Sequence, residues 1–129
     1  VEPGTSGGVS ARGLLAALAG SAVVGVVALA SGLIERRSQG SSMPPSAWIL
    51  VAAVVGGMGG ALFDSLLGAT VQATYRCPQC DKETERTLHR CGTTTVLSRG
   101  WRWLNNEWVN FFASMAGAIL GALVGMAQP

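Results

Sequence analysis

The chain has 129 residues, of which 49% are hydrophobic and only 12% charged, with 18 glycines and a net charge of +2. Soluble domains carry about 25% charged residues, so half the usual polar coat is missing, and mean hydropathy is +0.39. The small net charge, with no basic stripe and no interleaved aromatics, argues against a nucleic-acid partner.

The chain opens at Val1 with no basic n-region ahead of an apolar core. No signal peptide is expected, and the chain reads as a piece of something longer. "PGTSGGVSARG", Pro3 to Gly13, is a glycine-rich turn. Successive backbone N–H groups in such a turn, beside a helix N-terminus, make a place for phosphate. A flexible entry into a membrane helix fits the same composition.

Residues 14–34 carry no charge. At about 1.5 Å per residue they cross a hydrocarbon core of about 30 Å. "ERRSQGSSMPPS" follows, and Pro44-Pro45 cannot continue a helix. A second apolar span is expected over 47–71, interrupted only by Asp64, and a third over 108–127. A buried helical hairpin in a soluble protein is the alternative, but apolar runs of about 18 residues or more are characteristic of membrane spans. Glycine and alanine suit helices packed closely in lipid.

A polar insert over 73–104 separates the second and third spans, and its "KETERTLHRC" alternates enough to predict a short strand or hairpin. With three spans, Arg12 and the insert's Arg76, Lys82, Arg86, Arg90, Arg99 and Arg102 share one face, against Arg36 and Arg37 on the other. The positive-inside rule places the insert in the cytoplasm. Trp101, Trp103 and Trp108 are then expected near the cytoplasmic headgroups, where an indole is at home. The expected fold is an all-α membrane protein, a single membrane-domain fragment over 1–129 with about three transmembrane helices and a small cytoplasmic zinc-knuckle-like β insert.

"CPQC" and "HRCG" supply Cys77, Cys80, His89 and Cys91. A Cys-x-x-Cys pair with two further soft ligands is the inventory of a structural tetrahedral zinc site. His89 and Cys91, two apart, would face one side of a strand and close it. An odd cysteine count in a cytoplasmic loop argues against disulfides. A reduced, metal-free loop is the alternative. Four protein ligands leave no open position for catalysis, so the cluster reads as structural.

Asp64 is costly in a span and normally faces a cavity, a cation or a partner. Either it marks an ion or ligand site reached from a cytoplasmic crevice, or it is a structural aspartate bonded to a neighbouring helix. Asn105, Asn106 and Asn110 stand at the mouth of the third span, with Asn106 and Asn110 four apart and so on one helix face. Such amides either bind phosphate oxygens and a hydrated cation or serve as interhelical glue.

"GTSGGVSARGLLAALAG", "DSLLGATVQ" followed by "YRCPQC", and "WLNNEWVNF" together resemble the integral-membrane family known as domain of unknown function 92, which includes transmembrane protein 19 and phytyl-phosphate kinase-like proteins. The resemblance spans most of the chain. It implies a multi-span helical membrane protein and, for the plant branch, transfer of phosphate from CTP to an isoprenoid monophosphate. Carried over by position, Gly4, Thr5, Ser6, Gly7 and Gly8 would cradle phosphates. Asp64, Ser65 and Gly68, followed by Gln72, would form the acid-Ser-x-x-Gly element. Asp64 would help ligate Mg²⁺ with an acid from an N-terminal half absent here, while Asn105, Asn106 and Asn110 would orient a substrate. The implied partners are the lipid bilayer, the isoprenoid phosphate, CTP and that missing half. The Cys/His cluster is a feature of the prokaryotic members, outside any shared chemistry. Two other classes compete: a transporter or ion-site protein using Asp64, and a structural membrane module whose zinc-stabilised loop docks a partner.

Overall fold

The computed structural model describes residues 7–40 and 46–127. The described chain runs α1 (Ala11–Ser38), α2 (Trp48–Thr70), β1 (Thr74–Cys77), β2 (Lys82–Thr84), β3 (Val96–Arg99) and α3 (Asn106–Met126). Among the described residues three helices are long and apolar enough to cross a membrane, and they are α1, α2 and α3.

Each helix is bounded by chemistry visible in the chain. Ser10 caps α1: its Oγ accepts from Gly13 N at 3.1 Å, satisfying one of the donors a helix start leaves free. Arg36 and Arg37 lie in the last turn, where cations complement the negative end of the helix dipole. At 28 residues, α1 extends to about 42 Å, beyond the expected 14–34 at both ends. Asn105 caps α3, its Oδ1 accepting from Trp108 N at 3.1 Å, and Glu107 occupies the first turn. That cap starts α3 two residues ahead of the expected 108.

Contacts divide the chain into two compact units, one of residues 10–62 with 114–129, the other of residues 1–9 with 63–113. In the first, α2 lies between α1 and α3, and small residues set both interfaces. A Cβ built on Gly56 would lie 2.7 Å from the carbonyl oxygen of Gly117, and one on Gly117 would lie 2.8 Å from that of Gly56. Gly121 meets Ala52 O in the same way at 3.2 Å. Ala52, Gly56 and Gly60 are four apart on α2, and Gly117 and Gly121 four apart on α3. Each stripe is a small-xxx-small face that lets backbones touch. A neighbouring face of α2 uses Gly57 against Ser21 and Leu50 with Ala53 against Gly25. Trp48 Nε1 donates to Val124 O at 2.5 Å, joining the start of α2 to the end of α3. The other faces are apolar and exposed, with Leu15, Val24, Ile34 and Leu123 more than half uncovered, as lipid-facing surfaces must be.

The second unit carries a three-stranded antiparallel sheet of order β2-β1-β3. Tyr75 pairs with Thr84 on one side and with Leu97 on the other. The central strand is β1, ahead of the segment from which the sequence predicts a hairpin, and β2 covers only the start of that segment. Ala73, Tyr75, Cys77, Leu104, Val109 and Ala113 are the buried apolar residues among those described, and all lie in this unit.

Gly56→Val should separate α2 from α3 and cost about 1–3 kcal/mol of stability in detergent, the range for overpacking. Gly125→Val, at a site with nothing within 4 Å of the added Cβ, should leave the unfolding midpoint in a denaturant titration unchanged.

Candidate functional site

Asp64 lies in the last third of α2, and its Oδ1 is buried without a hydrogen-bond partner among the described residues. Gly68 and Gln72 follow at four-residue intervals, placing the three on one side of the helix end. Against that side packs Gly7. Gly7 has φ +81°, and a Cβ there would overlap the backbone of Ala69 and lie 2.6 Å from the carbonyl carbon of Gly68. Conversely, a Cβ on Gly68 would lie 2.9 Å from Gly7 N, 3.0 Å from Gly7 Cα and 3.2 Å from Gln72 Oε1. Only glycine at both positions allows this approach. Gly7 and Gly68, far apart in sequence, are therefore in contact.

The end of α2 is clasped by the insert. Val71 N and Gln72 N both donate to Leu67 O at 3.0 Å. Beyond them the helix leaves carbonyls without donors. Arg99 Nη1 donates to Ala69 O at 2.5 Å, a cation at the negative end of a helix. Trp101 N donates to Val71 O at 2.9 Å, and Ala73 N to Leu104 O at 2.8 Å. Gly100, at φ +80°, presses on the Gln72 carbonyl where any Cβ would collide. Gln72 itself is 2% exposed, and its Nε2 donates to Glu85 Oε1 at 3.0 Å.

The Cys/His cluster is built from two turns of the same unit. Cys77 ends β1 and is fully buried; Cys80 follows in a turn that Asp81 leaves with φ 53° and closes by donating its N–H to Cys77 O at 2.9 Å. His89 and Cys91 are not on a strand. They sit in a tight turn in which His89 N donates to Thr93 O at 3.0 Å and Gly92 N to His89 O at 2.9 Å. Gly92 takes φ +85° there, which is why the alternation of the segment stops short of a strand. The turn still converges the donors: one atom from each of Cys77, Cys80, His89 and Cys91 lies within 4.8 Å of all the others. Cys77 Sγ and Cys91 Sγ are 3.6 Å apart, close to the ~3.8 Å between sulfurs of a tetrahedral site with ~2.3 Å metal–sulfur bonds. His89 Nδ1 lies 3.0 Å from Cys91 Sγ. Thr93 Oγ1 donates to Gln79 Oε1, tying the two turns together. Hydrogen bonds from Thr93 and His89 hold the Cys91 thiol down at about 5. Its neighbour Cys80, hydrogen-bonded to Cys91, is pushed up to about 11. The donor set fits a metal ion, whose binding requires deprotonated cysteines.

Of the residues singled out from sequence, Gly7, Gly68, Gln72 and Asp64 come together, while Gly8 is exposed beside Gly7. Gly4, Thr5 and Ser6 lie outside the described residues. Ser65 stands one residue beyond Asp64 on α2. Gln72 is turned inward with its amide donor engaged by Glu85. Asn105 uses its side-chain oxygen as the α3 cap. Asn106 and Asn110 stand one turn apart on the exposed start of α3. Sequence reasoning passed over Glu85, Arg99 and Gly100, whose roles come from contacts across the insert rather than from any local pattern.

A family model described as "Integral membrane protein DUF92" matches residues 1–118. Protein PGR of Arabidopsis thaliana is 31% identical over 126 residues, which cover 98% of this chain and 42% of that protein. The chain therefore spans less than half the length of this curated relative. No solved structure matches it.

Gly68→Ala should displace the Gly7 backbone, since that neighbour is main chain and cannot swing aside. A loss of about 1–3 kcal/mol is expected, read as a lower thermal midpoint and faster proteolysis of the N-terminal turn, while the metal-binding stoichiometry of the Cys/His cluster stays the same.

Proposed function

The chain belongs to the DUF92 integral membrane family, and from that premise we propose that it is part of a CTP-dependent kinase of isoprenoid monophosphates, phytyl phosphate or a related prenyl phosphate. The observation that carries the reading is the buried, unpartnered Asp64 Oδ1 one helical turn from the contact of Gly7 with Gly68. An acid in an apolar span costs a few kcal/mol unless a cation or partner meets it. Successive backbone N–H groups in a glycine-rich turn can seat a phosphate.

In the proposed reaction an oxygen of the isoprenoid monophosphate bonds to the γ-phosphorus of CTP, and the bond to the β-phosphate bridge breaks, releasing CDP and a lipid diphosphate. Asp64 would hold a Mg²⁺ together with an acid from elsewhere in the protein. Bound there, the ion would neutralise the charge gathered on the phosphates, the main electrostatic need of phosphoryl transfer. The turn at Gly4, Thr5, Ser6, Gly7 and Gly8 would bind phosphate through its backbone N–H groups. Ser65 would donate to the same phosphates. Asn105, Asn106 and Asn110 mark the end of α3 at which the substrate headgroup would be oriented, Asn106 and Asn110 through their exposed amides. The isoprenoid tail would lie along the exposed apolar helix faces, open to lipid.

The insert is read as cytoplasmic, supported by seven Lys and Arg on its side against two on the other. The metal of the Cys/His cluster is read as a structural Zn²⁺, supported by the four-donor set, which leaves no open coordination position for chemistry.

Two measurements follow. With labelled CTP, Mg²⁺ and phytyl or geranylgeranyl monophosphate, the intact protein in membranes should form lipid diphosphate. Asp64→Asn should lower that rate by about 10²-fold or more, the scale for losing a preorganised charge-stabilising group. No diphosphate from the wild type with any prenyl chain or nucleotide would sink the kinase reading. Separately, the purified protein should carry one zinc per chain. Cys77→Ser should weaken zinc binding and loosen the insert to proteolysis while the helices remain in the membrane, since structural zinc contributes folding energy directly.

A further inference from the structure

Glu85 stands in the loop after β2 and is exposed, yet it touches the most buried amide of the site. Gln72 is 2% exposed and lies 13 positions earlier in the chain; its Nε2 reaches Glu85 Oε1 at 3.0 Å. On the other side of the same amide, Gln72 Oε1 stands 3.2 Å from the point a Cβ on Gly68 would take. Gly7 N stands 2.9 Å from that point, so Gln72 and Gly7 both border Gly68.

A primary amide has nearly two-fold shape, with an acceptor at one end and donors at the other, and its neighbours decide which end points where. An ionised carboxylate only accepts. Glu85 therefore draws the donor end of Gln72 toward itself, with the acceptor end beside Gly68. The bond is charge-assisted, hence roughly twice as strong as a neutral one, and a buried amide left without a partner is costly. Gln72 also shares its backbone with the end of α2, where Gly100 presses on its carbonyl. One side chain of the insert thus sets the orientation of a group that lies against the proposed phosphate turn.

We infer that Glu85 is a positioning residue for the phosphate-binding turn: by accepting from Gln72 it orients that amide against Gly68 and so holds Gly7 in register with Asp64. Its consequence for turnover rests on the kinase reading above. Its consequence for structure does not.

The test uses the intact protein with Glu85→Ala, Glu85→Gln and Glu85→Lys. In the CTP kinase assay, Glu85→Ala should raise KM for CTP about tenfold, the size of one lost hydrogen bond to a charged group, with kcat little changed. Glu85→Gln keeps an acceptor for Gln72 and should restore KM to near the wild-type value. Glu85→Lys offers only donors, should turn the amide over and should be worse than Glu85→Ala. Zinc content should be the same in all four proteins, which separates this role from loss of the insert's fold. Amide hydrogen exchange supplies a readout without turnover: segment 64–72 should exchange about tenfold faster in Glu85→Ala and at the wild-type rate in Glu85→Gln. Unchanged KM and unchanged exchange in Glu85→Ala would overturn the inference, as would a Glu85→Gln protein as impaired as Glu85→Ala. If the wild type shows no kinase activity, only the functional reading falls, and the exchange comparison still decides the role of Glu85.

Discussion

The end of α2 is the joint on which the site depends. A helix terminus leaves its last carbonyls without intrahelical donors, and in a membrane protein those groups must find partners in the chain or in water. Here they are taken by the insert: Arg99 reaches Ala69 O and Trp101 N reaches Val71 O. The same bonds that terminate the helix thereby fix the strand β3 and the loop before α3 to it. Ala73 N to Leu104 O at 2.8 Å adds a further tie. With the helix end held from outside, its inner side is free to receive the glycine turn. Close backbone approach at Gly7 and Gly68 requires such an anchored surface, because a fraying helix end could not present a fixed concavity.

Two demands on glycine coexist in α2 and have different physical origins. Gly56 and Gly57 lie at different interfaces and allow helices to pack where lipid gives no hydrophobic drive for association. Gly68 allows contact with a turn. The first use fits any helical membrane protein. The second is specific, because it brings a non-helical backbone against a helix near an acid. Glycine content alone therefore says little about function, while the neighbour of each glycine says much.

The helices were legible because an apolar run of some 20 residues has few other fates, and the Cys/His donors were legible because Cys-x-x-Cys spacing fixes two ligands on one turn. Less was visible of how the insert folds. The sheet is centred on Thr74–Cys77, four residues with little alternation to announce them, and His89 and Cys91 converge through a Gly92 turn rather than along a strand. Asn105 read as a ligand candidate, although an asparagine just ahead of an apolar run is also an N-cap signal, and the cap is what it makes. The meeting of Gly7 with Gly68 follows from no local pattern; only the resemblance grouped those motifs. The Gln72–Glu85 bond escaped entirely, since neither residue is unusual in its own segment.

Asp64 poses a choice between a structural and a functional acid, and its surroundings bear on that choice. A carboxylate kept to hold helices together would have its oxygens engaged by neighbouring donors, because the unpaired group is what makes such burial costly. Oδ1 of Asp64 has no such partner among the described residues, and it is buried. On the proposed reading, a cation held by Asp64 would offset both the buried acid and the charge of the phosphates.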